Sequence, residues 1–250
     1  MSDCPEIHLY AWSDDARLQP LYTGVSLLRE ARAIRLRQTI VKNPQSLGFA
    51  ELKTESSHLL LVVDGFRRLL FDTTDAGKID PRHVEACDGY LKRSYDREGV
   101  KALGELACRV HPLGLNYPVY PDGWDGLGWR RAVAFGSVRE RVSQLARLMD
   151  TGNRWSHLPR HRLLQAAPDL AAEARILFLV RAWDPHGFSG CTAERVAHYT
   201  EVNEMRAACI RALRQTFGPA FTGGFSHTAF AKKRYLEVLA PDPALTSKRN

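Results

Sequence analysis

The stretch that most constrains the fold runs from Ala174 to Phe225. It opens on Ala174-Arg175-Ile176-Leu177-Phe178-Leu179-Val180, an apolar run rich in strand formers and too short for a buried helix. A loop with Asp184-Pro185 and several glycines follows, and then a helical pattern from about Thr192 to Phe217. Its apolar positions, Val196, Tyr199, Val202, Met205, Cys209, Leu213 and Phe217, step by three and four, as on one face of an amphipathic helix. Gly218-Pro219 stops the helix. Phe221-Thr222-Gly223-Gly224-Phe225 reads as a second short strand. Strand, helix, strand requires a parallel crossover, hence an α/β sheet. The loop carrying Arg181, Trp183 and Asp184 then lies at the carboxyl edge, where open α/β sheets bind ligands.

The first half repeats the strand–helix order. Glu6 to Trp12 is the first strand, Val25 to Ala33 a short helix and Ile34 to Val41 a second strand, with Gly24 expected as a turn residue between loop and helix. Leu59 to Val63 and Phe66 to Phe71 flank Asp64-Gly65, a strong hairpin signal that explains Asp64 without chemistry. Asp72-Thr73-Thr74-Asp75 has two readings: a turn with a helix cap, or a carboxylate at the edge of a cleft, available as a base. Asp80-Pro81 starts a helix. Gly89 to Tyr95 is a further strand whose Lys92 and Arg93 are either solvated or placed to meet phosphate or sugar. Arg109 to Pro112 is another, followed by a loop that holds Asn116. Pro121 to Trp129, with three glycines and two tryptophans, reads as a surface loop or lid. Ala134 to Met149 reads as a helix with Val138, Val142, Leu145 and Leu148 aligned. The boundary falls in the proline-containing, basic stretch 153–172, which gives domains 1–170 and 171–250. His157 with His161, and His83 with Cys87, lack the partners of a zinc site, so no metal is expected.

Composition narrows the classes. At 250 residues, with 44% hydrophobic and 25% charged residues, the chain suits an ordinary globular protein. No apolar run is long enough for a membrane helix, and the polar N-terminus is unlike a signal peptide. Five scattered cysteines favour free thiols in a reducing cytoplasm. The net charge of +7 invites a nucleic-acid reading, yet the basic residues are dispersed and no nucleic-acid motif accompanies them. A basic surface suits an anionic nucleotide-sugar or the acidic inner leaflet of a membrane equally well.

Arg175 to Pro185 (RILFLVRAWDP), Glu201 to Phe217 (EVNEMRAACIRALRQTF), Gly223-Gly224 and the ending Ser247-Lys248-Arg249-Asn250 resemble bacterial glycosyltransferases of surface-polysaccharide gene clusters. The resemblance implies a GT-B fold: a Rossmann-like acceptor-side domain with a parallel sheet, then a second Rossmann-like, donor-side domain. The family continues where Asn250 falls, so the second domain is expected to be incomplete. Phe71 to Asp75 matches a phenylalanine-aspartate-threonine segment of the family, which implies Asp75, or else Asp72, as the base for the acceptor hydroxyl. Arg181, with Arg206, Gly223 and Gly224, falls on the donor side; Lys92, Arg93 and Asn116 fall on the acceptor or phosphate side. Nucleotide-sugar donor, glycan or lipid-linked acceptor and peripheral membrane contact are the implied partners, with neither cofactor nor metal. The alternative is a non-catalytic Rossmann-like binding subunit acting through its basic surface.

Overall fold

The computed structural model describes residues 4–49, 52, 53, 56–114, 117–122, 126–150, 152, 154, 156, 158–165, 171, 173–187 and 190–241. The chain divides into two compact units, Met1–Ala167 and Pro168–Asn250.

The first unit runs β1 (Glu6–Ala11), α1 (Gln19–Glu30), β2 (Arg35–Ile40), β3 (His58–Val63), β4 (Arg67–Asp72), α2 (Pro81–Glu85) and β5 (Gly89–Lys92). It continues with α3 (Arg97–Lys101), β6 (Val110–Pro112), α4 (Gly126–Ala134), α5 (Val138–Met149) and α6 (His161–Leu164). The six strands form one sheet in the order β2-β1-β3-β4-β5-β6. All run the same way except β3, which is antiparallel to both neighbours. The unit is therefore α/β with a mostly parallel sheet, and the expectation of a wholly parallel one is corrected. The reason lies in Asp64-Gly65: both residues have positive φ, 51° and 81°, so the chain turns back at once and β4 pairs against β3.

Both faces of the sheet are covered. Leu9, Ala11, Leu59, Leu61 and Phe71 pack with Tyr22 and Val25 of α1 and Leu127 of α4. On the other side Leu60, Leu70 and Tyr90 pack with Trp12, Phe49, Val84 and Val100. Successive strand residues point to opposite faces, which is why a strand buried on both sides reads as the unbroken run Leu59-Leu60-Leu61.

Several local expectations change. Helix α1 begins at Gln19, with Pro20 in its first turn, so Gly24 sits mid-helix and is not a turn residue. From Gly126 onward the expected lid is helical. Gly136, at φ 81°, breaks the expected Ala134–Met149 helix, and Ser137 restarts it through a capping box with Glu140. On α5, Leu148 is buried whereas Val138 and Val142 face outward.

The second unit runs β7 (Ile176–Val180), α7 (Ala193–Phe217), β8 (Phe221–Phe225) and α8 (Ala229–Arg234). β7 and β8 are parallel and pair Ile176 with Phe221 through Val180 with Phe225, as the strand–helix–strand pattern predicts. The packed face of α7 is not the predicted stripe: Asn203, Ala207 and Ile210 are buried, while Met205 is 63% exposed. Steps of three from Val196 to Met205 fall behind the 3.6-residue turn, which carries Met205 off the face. No described helix is long and apolar enough to cross a membrane.

Gly224 has φ 150°, and a Cβ there would land on the backbone of Leu239 and Ala240; at Gly223 it would land on the Phe178 carbonyl. Strain and overlap against rigid backbone together should make Gly224→Ala cost more than about 2 kcal/mol. Denaturant unfolding checks this, and a loss under about 0.5 kcal/mol would contradict the close approach.

Candidate active site

The carboxyl edge of the first sheet gathers the ends of β1, β4 and β5, together with the start of the reversed strand β3. Register sets its floor. His58 pairs with Asp72, and Asp72 with Lys92, so three chemically active side chains stand side by side on one face. Tyr90, two residues before Lys92, shares that face.

Asp72 is the hub of this floor. Its Oδ1 accepts from the Thr74 amide at 2.9 Å and the Thr74 hydroxyl at 2.7 Å, with His58 Nε2 3.5 Å away. Its Oδ2 accepts from the Tyr90 hydroxyl at 2.5 Å and Lys92 Nζ at 2.7 Å. Lys92 also donates to Thr74 Oγ1 at 2.9 Å. Burial raises the carboxyl's pKa, but the bonds and charge from His58, Lys92 and Tyr90 outweigh it and hold Asp72 well below the usual carboxylate range. Burial, then the Asp72 charge, pushes the Tyr90 hydroxyl far up, so it remains a donor. A carboxylate whose lone pairs are filled in this way has none left for an acceptor hydroxyl.

Asp75 is the opposite case. Its side chain is 70% exposed and held by Arg93 Nη1 at 3.0 Å and Arg17 Nη1 at 3.4 Å. Ion pairs this exposed contribute only about 0–1 kcal/mol, so a ligand can exchange them at little cost. Arg17 is anchored in turn by Asp15, at 2.6 Å. Asp15 also accepts from the Ser57 hydroxyl, which ties the loop after β1 to the start of β3. Trp12 Nε1, donating to Ser56 Oγ at 3.1 Å, adds a second tie. The result is an open rim of alternating charge, Asp15–Arg17–Asp75–Arg93, above a closed floor, Tyr90–Lys92–Asp72–His58.

The structure thus brings Asp72, Asp75, Lys92 and Arg93 together but gives them different surroundings. Lys92 is fully buried and committed to Asp72, whereas Arg93 lies on the rim. Asn116 and His157 lie outside the described residues. Asp15, Arg17 and Ser57 were missed in the sequence, where 13–17 passes for a polar loop. Its position directly after the first strand of an α/β sheet was the available signal.

In the second unit, Arg181 is exposed beyond the end of β7. Arg206 donates from Nη1 to the Arg181 carbonyl at 2.8 Å and stacks on Trp183, 4.3 Å from the ring centroid. Asn203, fully buried, grips the Trp183 amide at 3.0 Å and carbonyl at 2.7 Å, so helix α7 fixes the loop after β7. Gly223 and Gly224 make their close approaches to the protein's own backbone.

Comparisons with protein families, with curated proteins and with solved structures find no match to the chain.

Acid should probe the rim and floor. Burial opposes the ionised form of Asp15, but bonds from Arg17 and Ser57 outweigh it and bring its pKa to about 2. Asp72 is depressed in the same direction. Depressed folded-state values mean that this stability is present above the unfolded pKa of about 4 and is lost as pH falls through the folded one. The thermal midpoint should therefore drop between about pH 4 and pH 2, and Asp15→Asn should make that drop shallower. An unchanged acid profile in the variant would contradict the assignment.

Proposed function

We propose that the chain is a glycosyltransferase that moves a sugar from a nucleotide-sugar donor to a polysaccharide or lipid-linked acceptor. The observation that carries the reading is Asp75: an exposed carboxylate just past a buried strand, at the carboxyl edge, oriented by Arg17 and Arg93. The resemblance of Arg175–Pro185 and Glu201–Phe217 to polysaccharide glycosyltransferases supports it, as does the mostly parallel six-stranded α/β sheet of the first unit, compatible with a Rossmann-like domain. In this reading Asp75 takes the proton of the acceptor hydroxyl while its oxygen attacks the anomeric carbon, and the nucleoside diphosphate leaves. Arg181 meets the diphosphate charge, and the net charge of +7 favours anionic donors and an acidic membrane surface.

A second reading, a non-catalytic binding subunit, is favoured by one observation. Arg206 and the two glycines, expected to meet the donor, are engaged with the protein's own backbone.

Release of nucleoside diphosphate separates the two, measured over a panel of UDP- and GDP-sugars with lipid-linked glycan acceptors. The transferase reading expects acceptor-dependent release, and Asp75→Asn should lower kcat about a hundredfold with the fold intact. Near-normal turnover in that variant would overturn the base assignment. Donor binding with no release from any pair would favour the second reading.

A further inference from the structure

A cavity of about 190 Å³ lies within the first unit, beside the loop after β1 and under helices α4 and α5. Its polar lining comes from Asp14, Gln19, Tyr120, Arg131, Gln144 and Arg147. Arg131 is its most unusual member. This guanidinium is only 2% exposed and lies 3.4 Å from the Tyr22 ring centroid. Nε donates to Asp14 Oδ1 at 3.0 Å and Nη2 to Gln19 Oε1 at 2.7 Å. Nη1 is buried with no hydrogen-bond partner.

A buried donor on a charged group left unmatched is costly, and such groups are rare in folded proteins. A second orphan belongs to a lining residue on another helix: Gln144, whose Oε1 is also buried without a partner. The two have complementary chemistry. Nη1 donates from a fixed cation and so selects an oxyanion, while the Gln144 carbonyl accepts and so selects a hydroxyl or amine. Arg131 and Arg147 against Asp14 leave the lining with one net positive charge. Drug-sized ligands occupy roughly 300–1,000 Å³, so this cavity suits one ring-sized group and is too small for a whole nucleotide-sugar.

We infer that this cavity is a binding site for a small hydroxylated anion, a sugar phosphate or a sugar acid, held by the side chains of Arg131, Gln144 and Arg147 that line it. The inference does not depend on the transferase reading, because binding here needs neither donor nor turnover. It does place a second ligand group at the same sheet edge as Asp75.

Calorimetry on the full chain tests it with glucose 1-phosphate and glucuronate as probes, glucose as the neutral control and inorganic phosphate as the bare anion. The expected result is saturable binding of one or both anionic sugars and none of glucose. Phosphate-selective and carboxylate-selective binding identify which anion the site takes. Arg131→Lys keeps the charge but loses the planar fork, and should weaken binding about tenfold or more. Arg147→Gln, at an exposed position that the fold does not need, should weaken it severalfold and keeps the test valid if the Arg131 variant unfolds. No saturable binding below about 10 mM, equal binding of glucose, tighter binding of bare phosphate than of either sugar, or affinity unchanged in Arg147→Gln would each overturn the inference.

Discussion

A lysine with no exposed surface, paired at 2.7 Å with an aspartate almost as deeply buried, is the interaction on which the carboxyl edge of the first sheet depends. Removing two charges from water costs several kcal/mol each, and only close geometry with every remaining lone pair filled repays it. Asp72 meets that condition through Thr74, Tyr90 and His58. The requirement is strict about register. Lys92 reaches Asp72 only because β5 pairs with β4 so that the two residues are opposite, and His58 only because β3 runs antiparallel. A slip of one residue would send each side chain to the other face. The charged floor therefore selects one alignment of three strands, where apolar packing alone would discriminate less.

That floor also divides the labour among the charges. Asp72 and Lys92 are buried and compensate one another's charge, so they do not compete for solvent or ligand. The rim is built from weak, exposed pairs, Arg17 and Arg93 on Asp75, which a ligand can rearrange for about 1 kcal/mol or less. Rigid support beneath exchangeable charge is what a site needs if a carboxylate is to meet a hydroxyl in one orientation. In the second unit, Asn203 and Arg206 brace the loop after β7 from helix α7. The exposed Arg181 is carried on that braced loop.

Much of the scaffold was legible because it rests on local signals. The hairpin at Asp64-Gly65 follows from positive φ at both residues, and the strand–helix–strand order of 176–225 from period and punctuation. What stayed hidden depends on tertiary contacts. Nothing local says that Asp72 and Asp75, three residues apart, differ in exposure from almost none to 70%. Nor does a run of steps of three show that α7 buries Asn203, Ala207 and Ile210, since its packed face is set by β8 together with Ala231, Tyr235 and Val238. Nothing in the sequence sets Arg131 apart from the other dispersed basic residues; only the fold puts it on the Tyr22 ring.

A double-mutant cycle on Asp72→Asn and Lys92→Met, read by denaturant unfolding, tests the central claim most directly. If the edge rests on a mutually compensated buried pair, each single change should cost about 3–5 kcal/mol by stranding its partner, and the double should cost much less than their sum. Losses that add to within about 0.5 kcal/mol would show two independent residues and contradict the account.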